Sequence, residues 1–83
     1  MENFTKRVKE IEDIATSREF VNKAYAINAG REIRVFVNAT KMSDNEAVLL
    51  SKEIAKEIEQ KVQYPGEIKV NVIREIRAVH YAK

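Results

Sequence analysis

SDNEAVLLSKEIAKEIEQKVQY, residues 43–64, is the stretch that decides the fold. Ser43 followed three residues later by Glu46 is a capping box: the serine oxygen accepts an exposed backbone N–H, and the glutamate reaches back to the cap. Asp44 falls in the first turn, where the positive end of the helix dipole favours an anion. Ala47, Leu50, Ile54, Ile58 and Val62 then recur at spacings of three and four, which draws one apolar stripe down a helix. Lys52, Glu53, Lys56, Glu57, Glu59, Gln60 and Lys61 occupy the other faces, with Glu57 and Lys61 in the favourable acid-first order. Pro65 and Gly66 end the helix in the order a type II turn wants. A helix of roughly 19 residues is about 28 Å long. With a single apolar side, it needs a sheet to lie on.

Upstream, Met1 to Ser17 reads as another helix, striped by Phe4, Val8, Ile11, Ile14 and Ala15. No cap precedes it and the stripe runs to its first residues, the look either of a helix cut from a longer interdomain one or of a frayed terminal helix. Thr16 to Glu19 is a polar link, and Phe20 with Val21 is expected to make a short turn plugging the bottom of the core. Lys23 to Ala29 alternates, with Tyr25 and Ile27 on one side, and reads as a strand. Gly30 supplies the reversal, since glycine takes positive φ freely. Arg31 to Asn38 is a clearer strand: Ile33, Val35 and Val37 point one way, and Glu32, Arg34, Phe36 and Asn38 the other. The two strands form an antiparallel hairpin.

Beyond the long helix, Glu67 to Ile73 makes a third strand with Ile68, Val70 and Val72 inward and Lys69, Asn71 and Ile73 outward. Arg74 then falls where a core residue is due, while Val79 and Tyr81 are apolar on odd numbers. That phase change predicts a bulge or break between Val72 and Val79, and a possible short extra strand at the end. The predicted architecture is α+β, ordered α-β-β-α-β. Two helices pack on one face of a small three-stranded, mainly antiparallel sheet, with the third strand beside either the first or the second; the first, giving an all-antiparallel order 2-1-3, is favoured. The chain is one domain, a helix over 1–17 and a ββαβ module over 18–83.

Composition narrows the function classes. With 45% hydrophobic and 34% charged residues the chain is too apolar for disorder and too punctuated by charge for a membrane span. The absence of cysteine excludes a disulfide framework, a thiolate metal site and a thiol nucleophile. MENFTKRVKE has no apolar run behind its charges, so it is not a signal peptide, and a cytoplasmic setting fits. The net charge of +2 comes from 15 basic and 13 acidic side chains that are interspersed, unlike the concentrated basic face of most nucleic-acid modules.

Little in the chain suggests chemistry. His80 is the sole histidine; without a second one at i+3 or i+4 it is a poor ligand, and a surface or edge-strand role is expected. Glu53, Glu57 and Glu59 belong to a solvated helix face. The serines lack a G-x-S-x-G setting, and no glycine-rich phosphate loop exists. No catalytic, cofactor or metal residue is assigned, and the chain alone reads as no enzyme. The sheet face away from the helices is different, because Arg34, Phe36, Lys69, Ile73 and Arg77 are all expected to emerge there. Such a face serves three readings: an RNA platform, aromatic for bases and basic for phosphates; a docking face for another domain or copy; or plain strand propensity.

KAYAINAGREIRVFV (23–37), SDNEAVLLSKEIAKEIE (43–59) and YPGEIKVNVIREIRAVHYAK (64–83) together resemble the C-terminal domain of the ribonuclease Y family. ENFTKRVKEIEDIA (2–15) is similar to the helix that precedes that domain. The resemblance implies a fragment of a bacterial endoribonuclease that initiates messenger-RNA decay. Such enzymes have an N-terminal membrane anchor, a coiled coil, a KH RNA-binding domain and an HD phosphohydrolase domain that holds a divalent metal. It implies as partners the parent HD domain, a second copy through the parent (a homo-oligomer), and RNA or RNA-decay proteins, with no direct membrane contact from this chain. Three departures stand out: the family commonly has an acid at His80, a small polar residue at Ile76, and a Gly-Val pair at Phe20-Val21.

Overall fold

A computed structural model describes residues 4–64 and 66–83, Phe4 by its backbone alone. The elements run α1 (Phe4–Thr16), β1 (Val21–Ile27), β2 (Glu32–Asn38), α2 (Asp44–Lys61) and β3 (Lys69–Glu75). Both helices lie on one face of the sheet, α1 over β1 and α2 over β3. This is the predicted α+β arrangement of two helices on three strands.

α2 forms for the reasons its sequence gives. Glu46 N–H donates to Ser43 Oγ at 3.2 Å and Ser43 N–H donates to Glu46 Oε1 at 2.8 Å, so the capping box is closed. The backbone N–H of Ser43, then its hydroxyl, holds the Glu46 carboxyl below its ordinary range, against the opposing push of burial. All five stripe residues are buried, with Ile54 and Ile58 sealed from solvent. They meet Ile33, Val35 and Val37 from β2 and Ile11, Ile14 and Ala15 from α1, while Val70 and Val72 pack at the margin. Gly66 has a φ of +74°; Pro65, the other half of the predicted turn, lies outside the described residues, as do Met1 to Asn3 of the predicted first helix.

The sheet corrects the expected strand order. Its order is β1-β2-β3, with β1 antiparallel and β3 parallel to β2, so β2 is central and the sheet is mixed rather than 2-1-3 and antiparallel. The reason lies in the connection. α2 carries the chain back along the sheet, and a right-handed β-α-β crossover returns it beside and parallel to the strand it left.

The break predicted between Val72 and Val79 falls at Glu75, where β3 ends, and no bulge precedes it. Register runs without interruption from Glu32 opposite Lys69 to Asn38 opposite Glu75. Arg74 stays on the helix side, where its guanidinium closes the sheet against the start of α2. Nε donates to the Met42 carbonyl at 2.8 Å, Nη2 to the Ala39 carbonyl at 2.9 Å, and Nη1 to the Asp44 carboxylate. Among the described residues 76–83 make no strand. The one irregularity of register lies instead between Val21 and Lys23 in β1.

The ends of β1 also differ from expectation. Phe20 is 45% exposed with a φ of +70°, so Val21 alone packs on the core there. Positive φ extends over Asn28, Ala29 and Gly30, not Gly30 alone. Glu57 is no mere solvated residue: Arg18 Nη2 and Lys61 Nζ both donate to it at 2.8 Å, which ties the link after α1 to the middle of α2. The Lys61 bond chiefly lowers its carboxyl; burial pulls the other way and Arg18 adds to the lowering.

Candidate interaction surface

The face away from the helices is set by alternation along β2. Because Ile33, Val35 and Val37 turn inward, Glu32, Arg34, Phe36 and Asn38 turn outward. Residues directly opposite share a face, so register extends the surface sideways in rows. One row holds Ile27, Glu32 and Lys69; the next Tyr25, Arg34 and Asn71; the next Lys23, Phe36 and Ile73. Four of the five residues expected on this face, Arg34, Phe36, Lys69 and Ile73, are therefore together. Arg77 is not among them, because it lies beyond β3 in an exposed segment that forms no strand. His80 is exposed in the same segment.

The residues missed by sequence reading come from β1. Tyr25 packs edge-on against Phe36 with ring centroids 6.2 Å apart, and Lys23 Nζ sits 5.0 Å from the centroid of the Phe36 ring. Ring faces carry negative potential and attract a nearby cation. The available signal was the alternation of Lys23, Tyr25 and Ile27 with Ala24 and Ala26. The small residues lie under α1, which leaves Lys23, Tyr25 and Ile27 on the open face. Asn22, displaced by the irregularity at the start of β1, donates from Nδ2 to Glu75 Oε2 at 3.1 Å and closes the end of the face.

At the other end, Glu32 is the one polar residue buried among the described residues, though it belongs to the open face. Asn28 Nδ2 donates to its Oε1 at 3.2 Å and Arg34 Nε to its Oε2 at 3.3 Å. Burial pushes its carboxyl up, but the bonds from Arg34 and Asn71 and the charges of Lys69 and Arg34 outweigh it. The net displacement is downward. A fixed anion is thereby neutralised by the cations beside it. The rest of the face presents aromatic and aliphatic surface (Tyr25, Phe36, Ile73) fringed by Lys23, Arg34 and Lys69.

This arrangement offers apolar, aromatic and cationic surface for binding. No described residues group three or more His, Asp or Glu where they could hold a metal ion. No described helix is long and apolar enough to cross a membrane.

No protein-family model matches the chain, and no solved structure does. Curated proteins do match. The chain is 82% identical over all 83 residues to a protein named ribonuclease Y from Sulfurovum sp. (strain NBC37-1), 72% to one from Campylobacter hominis and 69% to one from Campylobacter jejuni. In each case it spans 16% of the relative's length. With identity this high from its first residue to its last, the chain belongs to the ribonuclease Y family, corresponding to the C-terminal region of those proteins.

Proposed function

We propose that this chain is the non-catalytic C-terminal module of a ribonuclease Y-like endoribonuclease that initiates messenger-RNA decay, and that its open sheet face docks the module within the parent assembly. Catalysis belongs in this reading to a metal-dependent HD domain elsewhere in the parent, which is also the first docking partner. The observation that carries the reading is the face itself. Tyr25, Phe36 and Ile73 lie in adjacent rows of one sheet surface, with a cation over the central ring. Contiguous apolar surface rimmed by polar groups marks interaction sites.

The test is to add the parent's HD fragment to isotope-labelled chain and follow amide shifts. Shifts confined to β1, β2 and β3 are expected, with Phe36→Ala and Ile73→Ala each weakening the contact about fivefold or more, as central apolar anchors do. An unchanged spectrum at saturating HD fragment defeats the docking reading.

A second reading, an accessory RNA-binding module, draws on the same aromatic pair and on Lys23, Arg34 and Lys69, since bases stack on exposed rings and phosphates seek cations. Titration with single-stranded RNA decides it. Binding that weakens with salt, and weakens further in Arg34→Ala, supports it; no binding at low salt ends it.

A further inference from the structure

The two margins of the sheet are finished differently. On β1, the Ala26 N–H that faces away from β2 donates to Glu12 Oε2 of α1 at 2.9 Å, so a helix side chain covers that margin. β3 is the other edge strand. Lys69 N–H donates to the Arg31 carbonyl at 2.8 Å, and the Glu75 carbonyl accepts from Ala39 N–H at 2.9 Å. The odd-numbered residues of β3 therefore turn their peptide groups towards β2. Alternation turns the peptide groups of Val70, Val72 and Arg74 outward, and no described strand lies beyond them. Alongside runs a groove floored by Val70 and Val72 and walled by Ala47, Val48 and Ser51 of α2. An open edge next to apolar surface is a template for another strand.

The same chain carries a segment suited to it. Residues 76–83 leave β3 without forming an element, and Ile76, Val79 and Tyr81 are 81%, 64% and 79% exposed. Three large apolar side chains so bare within eight residues are more than the scatter seen on ordinary surfaces. Extended, this tail reaches about 26 Å, enough to run the full length of a seven-residue strand of about 23 Å. It is poorly suited to cover its own edge. Doubling back would need a tight reversal directly after Glu75, and Ile76-Arg77-Ala78 offers no glycine, proline, asparagine or aspartate. The fit is therefore between molecules, where a two-fold axis lets each tail answer the other's edge and closes the contact.

We infer that two copies of this chain pair through β3, the tail of each lying along the open edge of the other, with its apolar side chains entering the groove beside Val48. The contact uses a different surface from the open face, so the Phe36 variants and the tail variants report on the two separately. Sedimentation of the 83-residue chain from low micromolar to near-millimolar concentration is the test. The mass is expected to double with concentration, and the amides of Val70 and Val72 to exchange more slowly in the concentrated sample. Val79→Glu combined with Tyr81→Glu should hold the mass at one copy with an unchanged circular dichroism spectrum, both side chains being exposed outside any element. A wild-type chain that keeps the mass of one copy near millimolar overturns the proposal. So does a dimer that survives the double substitution, or one whose Val70 and Val72 amides exchange as they do in dilute solution.

Discussion

Ala29 has a φ of +57°, between Asn28 at +54° and Gly30 at +81°. Asparagine tolerates the left-handed region and glycine is free in it, but alanine there brings its Cβ against the following carbonyl at a cost of about 1–2 kcal/mol. Glycine would relieve that and lose about 0.5–1 kcal/mol in unfolded-state entropy. Ala29→Gly should therefore stabilise the fold by about 0.5–1 kcal/mol, read as a raised urea midpoint at unchanged slope. The hairpin was legible from its one glycine, but the neighbours' backbone was not, because the four-residue reversal is dictated by register with the far strand. Arg74 teaches the same lesson. Its charge suggested a slipped strand, since an arginine on the core face has no partner visible in sequence; Met42, Ala39 and Asp44 become its partners only when α2 starts where it does.

Among the elements, α2 was readable from end to end, for its cap, stripe and face are all local. Strand order was not, because it depends on where α2 sets the chain down rather than on any property of β3. The open face was half legible. Alternation along β2 and β3 located Arg34, Phe36, Lys69 and Ile73, whereas Tyr25 and Lys23 needed the pairing of β1, and Arg77 was lost with the strand that did not form. How α1 is held was also hidden. Arg18 donates to the Glu57 and Glu53 carboxylates at 2.8 and 3.4 Å from the end of α1, across a gap of 35 or more residues. Arg18→Ala should cost about 1 kcal/mol, the scale of a partly shielded charged hydrogen bond. In a domain of this size that lowers the thermal midpoint by about 4–8 °C. A midpoint within error of the wild type would show the pair to be ornamental.

For the molecule as a whole, three carboxyls set the acid limit of stability. Glu32, Glu46 and Glu57 all lie below the ordinary value of 4.5 in the folded chain. A carboxyl so lowered favours the fold while ionised: its contribution is complete above the unfolded value and drains away as pH falls through the folded one. Thermal midpoints should thus be level from neutrality down to about pH 5.5 and decline below about pH 4.5. Glu57→Gln should start lower at neutral pH and decline less steeply. A midpoint that rises on acidification contradicts the assignment.

Because β3 runs alongside β2 in the same sense, the strand finishes at the end of the sheet where α2 begins, marked by Arg74 at the carbonyls of Ala39 and Met42. The early turns of α1 lie at the opposite end, where Lys6, Arg7 and Glu10 neighbour Lys61 and Gln63 at the close of α2. The start of α1 and the end of β3 are consequently held at opposite ends of the sheet. A label on Lys6 would be kept from one on Glu75 by the length of the sheet, as beads are kept apart by a spacer on a string.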